Sequence, residues 1–317
     1  MSNATVSFLG KANNAGDDNA LFLKIFSSEV LAAFSKANKM LPMTMTRSIS
    51  QGKSCQFPVF GKAAAAEYHV PGNEILGQVL QGNEKVITID DLLISHSFIS
   101  ELDEAKAHFD YRSVYSREMG EALANKVDQH LLQLVCLAAR AAETTSGTGG
   151  GSEIVDADCL TNAASMIESI FEAAEDLDNN NVPESDRFCV VTPNTYYNIV
   201  QNDKILNRDF GAGNGVYADG KVLKAAGMNI VKSNTATAAF ANHSGDSTTG
   251  TNNTYNVAAQ ATAAVCFHKS AVGTCMLKGL KMDSDYDIRR QGTLMVGKLA
   301  YGHGILRPES AVEITTS

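Results

Sequence analysis

Between Ile99 and Glu143 the chain reads "ISELDEAKAHFDYRSVYSREMGEALANKVDQHLLQLVCLAARAAE", with Tyr111, Tyr115, Met119, Leu123, Val127, Leu131, Leu134 and Ala138 recurring at steps of four or three. Residues on that period share one face of an α-helix, because a turn takes 3.6 residues. Uninterrupted from Asp103 to Glu143, the helix would run roughly 60 Å at about 1.5 Å per residue. Few globular domains are that wide. Gly120 inside it costs about 1 kcal/mol relative to Ala and marks a bend or a close contact.

The segments ahead of the helix follow another grammar. "SCQFPVFG" is short and β-prone, and "EKVITIDDLLI" alternates Val86, Thr88 and Asp90 against Ile87, Ile89 and Asp91. Between them lies "KAAAAEYHVPGNEILGQVLQGN", rich in Ala and Gly, with Pro71-Gly72 as a turn signal. Together they predict the two arms of a long hairpin with a broad tip. A loop of that length inside a compact domain tends to be functional, and a two-stranded hairpin is marginal alone, so it is expected to rest on a neighbour. Further upstream, residues 1–18 are small and polar and read as a flexible arm. After Asp18 or Asn19 as a cap, Phe22, Phe26, Val30 and Phe34 form the stripe of an amphipathic helix. That helix needs a surface to lie on, another subunit or its own domain, and the pattern leaves both open.

Downstream, "TTSGTGGGSE" reads as a linker and "ADCLTNAASMIESIFEAAEDLDNN" as a second amphipathic helix. The seven acids and no base between Glu168 and Asp186 read as a solvated face. "RFCVVT" and "GMNIVKSN" are strands, Pro193 sits where a helix can begin, and "TATAAFANHSGDSTTGTNNTYN" reads as an exposed polar loop. From Val257 onward the chain reads as strands with Gly turns.

Chemistry is sparse. "VCFHKSAVGTCML" brings Cys266, His268 and Cys275 within ten residues, with Cys266 and His268 on one face of a strand. That is three ligands where a structural zinc wants four, and the chain has neither C-x-x-C nor H-x-x-x-H, so buried packing residues are the better reading. Phosphate-binding loops, H-E-x-x-H and G-x-S-x-G are absent, and Asp90-Asp91 lack a catalytic partner. No catalytic, cofactor or metal residue is therefore assigned. Acids outnumber bases 35 to 26, and the resulting net charge of −9 argues against a duplex-binding surface. The start lacks a secretory signal, no run reaches a membrane span, and six cysteines scattered among apolar neighbours read as reduced and buried, so the chain is expected to fold in the cytosol.

An arm, a long hairpin, a very long helix, an α/β part and closing strands is the order of elements in the α+β Hong Kong 97-type fold of tailed-phage capsids. "LFLKIFSSEVLAAF", "RSISQGKSCQFPV", "PGNEILGQ", "EKVITIDDLLI", "HFDYRSVYSREMGEALA", "VPESDRFCV", "FHKSAVGTC" and "YGHGILRPESA" resemble, in that order, the major capsid proteins of short-tailed, Autographiviridae-like phages of the coliphage T-seven group, including relatives infecting cyanobacteria. The loops 204–220 and 234–256 depart from the pattern.

The resemblance implies an N-terminal arm over 1–50, an extended loop over 51–100, a peripheral domain with the spine helix over 101–155, an axial domain over 156–256 and return strands of the peripheral domain over 257–317. It implies self-assembly as hexamers and pentamers, at triangulation number seven, into an icosahedral shell around double-stranded DNA. The shell would be built in the host cytoplasm with a scaffolding protein and a portal protein at one vertex, without specific DNA binding, a membrane or catalysis. Subunit-contact candidates are Phe22, Phe26 and Phe34, then Lys53, Lys62, Glu67, Tyr68, Glu74 and Lys85 on or beside the extended loop, and Arg289 and Arg290. Because burying each Phe is worth about 1.5–3 kcal/mol, the Phe face of Leu21–Phe34 is expected to be buried in the assembled shell. By the same resemblance the shell has no covalent crosslinks between subunits, and all six cysteines remain unbridged. The alternatives are an encapsulin-like bacterial nanocompartment shell and, from another class, a cytosolic α/β enzyme using Cys266 and His268.

Overall fold

The computed structural model describes residues 33–316 apart from 35–36, 64–65, 67, 76, 78, 103–111, 146, 202–214, 217–220, 223 and 244–251. The expectations for residues 1–32 of the arm, Phe22 and Phe26 among them, for Glu67, for the first turns of the long helix and for most of 204–220 lie outside the described residues.

After a 3-10 turn at Leu41–Met43 come β1 (Met45–Ser48), β2 (Ser54–Phe60), β3 (Gly82–Thr88) and β4 (Leu93–Ser100). The long helix α1 spans Arg112–Ala139, 28 residues or about 42 Å. Its apolar stripe faces inward: Met119, Leu123, Val127, Leu131, Leu134 and Ala138 are all buried. Towards its C-terminal end nearly every position is buried, Leu132, Val135 and Cys136 included, because the helix lies between two sheets and touches strands of both. A helix covered on most sides needs no polar face there.

The expected linker after α1 is instead a packed turn. Gly151 sits so close to the helix end that a Cβ would overlap the carbonyls of Ala138 and Ala139, and its N–H donates to Ala141 O at 3.0 Å. Thr145 and Thr148 are buried, and the Thr148 hydroxyl donates to Thr145 O at 2.7 Å. Glycine is required here for close approach rather than for freedom of movement.

There follow β5 (Ser152–Val155), α2 (Ala163–Asn179), β6 (Arg187–Val191), α3 (Pro193–Val200), β7 (Gly215–Val216), β8 (Lys221–Val222), β9 (Lys224–Ala225), β10 (Met228–Lys232) and α4 (Asn234–Ala239). Asn162 caps α2 by accepting from Ala164 N at 3.0 Å, and Thr192 caps α3 with Pro193 in its first turn. Met166, Ile170, Ala173 and Leu177 face inward from α2, whereas Glu168, Glu172, Glu175 and Asp178 are exposed. The start of the stretch read as an exposed loop is α4. Ala236, Ala239 and Phe240 recur at three and four residues, all buried against the core around α1.

The chain ends with β11 (Thr262–His268), β12 (Val272–Asp287), β13 (Gly292–Ile305), a 3-10 turn at Pro308–Ser310 and β14 (Ala311–Thr315). These strands divide between two sheets. One has the order β1-β12-β13-β4, the other β5-β14-β11-β6-β10-β9. β11 is buried from Thr262 to Phe267, the continuous run of a strand covered on both faces, while the long β12 and β13 mix buried and exposed positions. Glu313, fully buried in β14, accepts from Arg140 Nε at 2.6 Å and Nη2 at 2.8 Å and so ties the last strand to the end of α1.

Phe34 joins Met40, Leu123, Leu131 and Phe267 in the subunit's own core at 6% exposure. Within the subunit, then, most of the Phe34 side chain is covered by its own core, and only the remainder is open to a neighbouring copy. The arm is pinned at this point by Asp128 of α1, whose carboxylate accepts the N–H groups of Lys39 at 2.9 Å and Met40 at 3.1 Å. Burial nevertheless pushes the Asp128 carboxyl up to about 6.

Candidate functional site: the hairpin and its foot

β2 and β3 pair antiparallel from Ser54 opposite Thr88 to Phe60 opposite Gly82, the two arms expected from the sequence. Alternation sets their faces: Cys55, Phe57, Val59 and Ile87 are buried while Gln56, Pro58, Phe60 and Val86 are exposed. At the foot, Cys55, Phe57 and Ile87 pack with Ile89, with Cys275 and Ala300 of the four-stranded sheet and with Leu306 just after β13.

Close approach there depends on glycines of "YGHGIL". A Cβ on Gly302 would overlap the Thr88 carbonyl, and one on Gly304 would stand 2.8 Å from Ile87 Cγ1. These glycines mark where another backbone lies against the sheet, a signal already present as G-x-G inside a strand.

A half-buried polar cluster holds the turn out of β3. Asp90 N donates to Tyr301 O at 3.0 Å, and the Asp90 carboxylate accepts from Asn253 N at 3.0 Å, Asn253 Nδ2 at 2.8 Å and the Tyr255 hydroxyl. Asn253 Nδ2 also donates to Thr88 O at 2.8 Å, and Asn252 Nδ2 to Ile89 O at 2.6 Å. Tyr255 in turn accepts from His303 N at 3.2 Å and stacks on His130, ring centroids 4.5 Å apart. Burial raises the Asp90 carboxyl, its hydrogen bonds opposing, and lowers His130 to about 4 and His303 to about 3. Asp90 is therefore a structural anchor. Asn252, Asn253 and Tyr255 fall in the stretch read as an exposed loop, and no local pattern marks them as partners of a turn more than 160 residues earlier in the chain.

The cysteines need a correction. Cys55 and Cys275 form a disulfide, their Cα atoms 6.0 Å apart and 220 residues apart in sequence, so two of the six expected free thiols are bridged. Scattered spacing carries no information about pairing across such a distance; the packing of β2 on β12 creates it. Cys136, Cys159, Cys189 and Cys266 remain free and buried. Cys266 lies opposite Cys189 in the six-stranded sheet and His268 Nδ1 lies 2.8 Å from Ser270 Oγ, so Cys266, His268 and Cys275 do not converge.

The tip differs from the foot. Every described residue from 62 to 81 is exposed, including Tyr68 at 103%, Ile75 at 78% and Val79 at 83%. Lys53, Lys62, Tyr68 and Glu74 are exposed, and Lys85 is half-buried. Arg289 and Arg290 are exposed at the turn between β12 and β13, far in sequence from the hairpin, where Arg290 Nη1 pairs with Asp287 at 2.8 Å.

A family described as Gp10A-like major capsid protein matches residues 56–315. The chain belongs to that family. It is 32% identical to the major capsid protein of Escherichia phage T7 across 94% of this chain and 92% of that one. The capsid structure of the cyanophage P-SCSP1u superposes with a TM-score of 0.78 at 41% identity, covering 99% of both chains. A virus-like particle from Pyrococcus furiosus matches at 12% identity and a TM-score of 0.57, over 92% of this chain and 99% of that one, which shows the fold alone. The fold is the Hong Kong 97-type α+β capsid fold. The chain is a phage capsid shell protein, and the nanocompartment alternative is not favoured. Among the described residues no helix is long and apolar enough to cross a membrane.

Proposed function

We propose that this subunit assembles as hexamers and pentamers into an icosahedral shell around double-stranded DNA, with a scaffolding protein during assembly and a portal protein at one vertex, and that it has no catalytic activity of its own. The single observation that carries the contact mechanism is the hairpin tip: Tyr68, Val70, Ile75, Val79 and Leu80 are large and exposed. A run of apolar side chains on an element projecting from its own subunit is a surface for another copy. Lys53, Lys62, Glu67, Glu74 and Lys85 on the hairpin, and Arg289 and Arg290 at the turn between β12 and β13, would add charged rim contacts, each worth little alone. Phe22 and Phe26 would extend the same contacts along the arm.

On this reading 1–50 is the arm, 51–100 the extended loop, 101–155 the spine segment, 156–256 the axial part around the capsomer centre, and 257–317 the return strands. The net charge of −9 supports a lining that stays close to DNA without gripping it. Negative-stain microscopy of the purified protein, co-expressed with a scaffold where needed, tests the proposal. Closed particles in the megadalton range are expected; a small soluble oligomer under all conditions would overturn it.

A further inference from the structure

The hairpin is joined to the rest of the subunit by its two chain connections, by the glycine-lined packing at its foot, by the Asp90 cluster, by hydrogen bonds from Arg47 Nη1 to Gln56 O and from Asn83 Nδ2 to Thr144 O, and by one covalent link. Because β2 and β3 form a sheet of their own, no ladder of backbone hydrogen bonds joins them to the sheet beneath. Beyond the Asp90 N–H to Tyr301 O bond and the Gly302 backbone against Thr88, the contact is made by side chains, with Cys55 and Cys275 among Phe57, Ile87, Ile89, Ala300 and Leu306. Both cysteines are almost wholly buried, and their partners are apolar, so the reduced pair also has an environment that accepts it. The other described cysteines are free.

We propose that Cys55 and Cys275 are an oxidation site acting as a staple: reduced while the shell assembles, and oxidised to an intrachain disulfide after release, fixing the hairpin foot to its own four-stranded sheet. The proposal rests on the shell reading, since a capsid subunit passes from a reducing cytoplasm to an oxidising exterior. In the reduced state packing and hydrogen bonds alone hold the foot, so the hairpin can adjust as it meets a neighbouring copy. Oxidation then removes that freedom.

In the step itself each thiol loses one proton and one electron. With dissolved dioxygen as oxidant, the two hydrogens leave as hydrogen peroxide, and one Sγ–Sγ bond replaces two S–H bonds. Burial of both sulfurs makes the reaction depend on brief opening of the foot, so it is expected to be slow in the closed shell. The link lies within one chain and adds no bond between subunits.

The test counts thiols and measures particle melting in parallel. Chains from infected cells denatured whole in an alkylating agent should carry six alkyl groups each, and those from particles aged in air should carry four, with the loss mapped to Cys55 and Cys275. Air-aged particles should melt about 3 °C or more above the same particles treated with a phosphine reductant. That difference should vanish in Cys55→Ser and persist in Cys159→Ala. Six groups after ageing, four groups already inside the cell, or equal melting of oxidised and reduced wild-type particles would each overturn the proposal. Thiol counting of the unassembled subunit reads the pair even if no particles form, so failure of the shell reading is distinguishable.

Discussion

The tip and the foot of one hairpin follow opposite rules. At the foot, alternating apolar residues meet a glycine-lined strand, a half-buried carboxylate accepts three hydrogen bonds, and a disulfide closes the contact. At the tip, side chains as large as Tyr68 and Ile75 stand exposed, at 103% and 78%. The foot is built to fix an angle, the tip to be covered by something else. Changes at the foot should therefore act on the folded subunit, and changes at the tip on assembly.

The sharpest separation comes from removing the tip. Deleting 62–83 should leave a soluble, cooperatively melting subunit and no closed shells by microscopy; normal particles would break the comparison. Ile75→Asp is the milder form, expected to lower particle yield sharply while the melting of the isolated subunit moves by no more than about 0.5 kcal/mol. A subunit destabilised as much as its shell would show that the tip packs at home.

At the foot, Gly302→Val puts a branched side chain into the Thr88 carbonyl, a backbone atom that cannot swing away. A loss of about 3 kcal/mol is expected from chemical denaturation of the subunit, before any assembly. Tyr255→Phe keeps the stack on His130 but leaves Asp90 short of one donor, for a loss of about 1–3 kcal/mol by the same measurement.

The smallest expected effect concerns pH. His130 and His303 are lowered to about 4 and about 3, below the unfolded value near 6.5, so between those limits the unfolded chain binds more protons. Their contribution to stability is complete above about pH 6.5 and is lost as pH falls through the folded values. Asp128, raised to about 6, acts oppositely: from about pH 6 towards 4 the folded state takes up its proton first, partly offsetting the histidines. Replacing His130 by Phe keeps an aromatic ring on Tyr255 and removes one titrating group. Its melting temperature should fall less than the wild type's between pH 6.5 and 4, and identical slopes would refute the assignment.

Local periodicity and composition determined which segments became the hairpin arms, α1, α2, the strands at "RFCVVT" and "GMNIVKSN", and the acidic outer face of α2. Each of those is set by neighbours within one or two turns or by alternation along one strand, so the pattern is visible without knowing what lies opposite. Residue wording extended this to the family. Only the tertiary structure decided that Cys55 meets Cys275, that Asn253 and Tyr255 clamp the turn at Asp90, that Gly151 packs on the end of α1, and that Phe34 belongs to its own core. In each case the partner comes from a separate element, in most of them more than 80 residues away, and a single side chain carries no record of which distant surface will be brought against it. Packing between elements creates that information, because the free energy of such a contact depends on both surfaces at once.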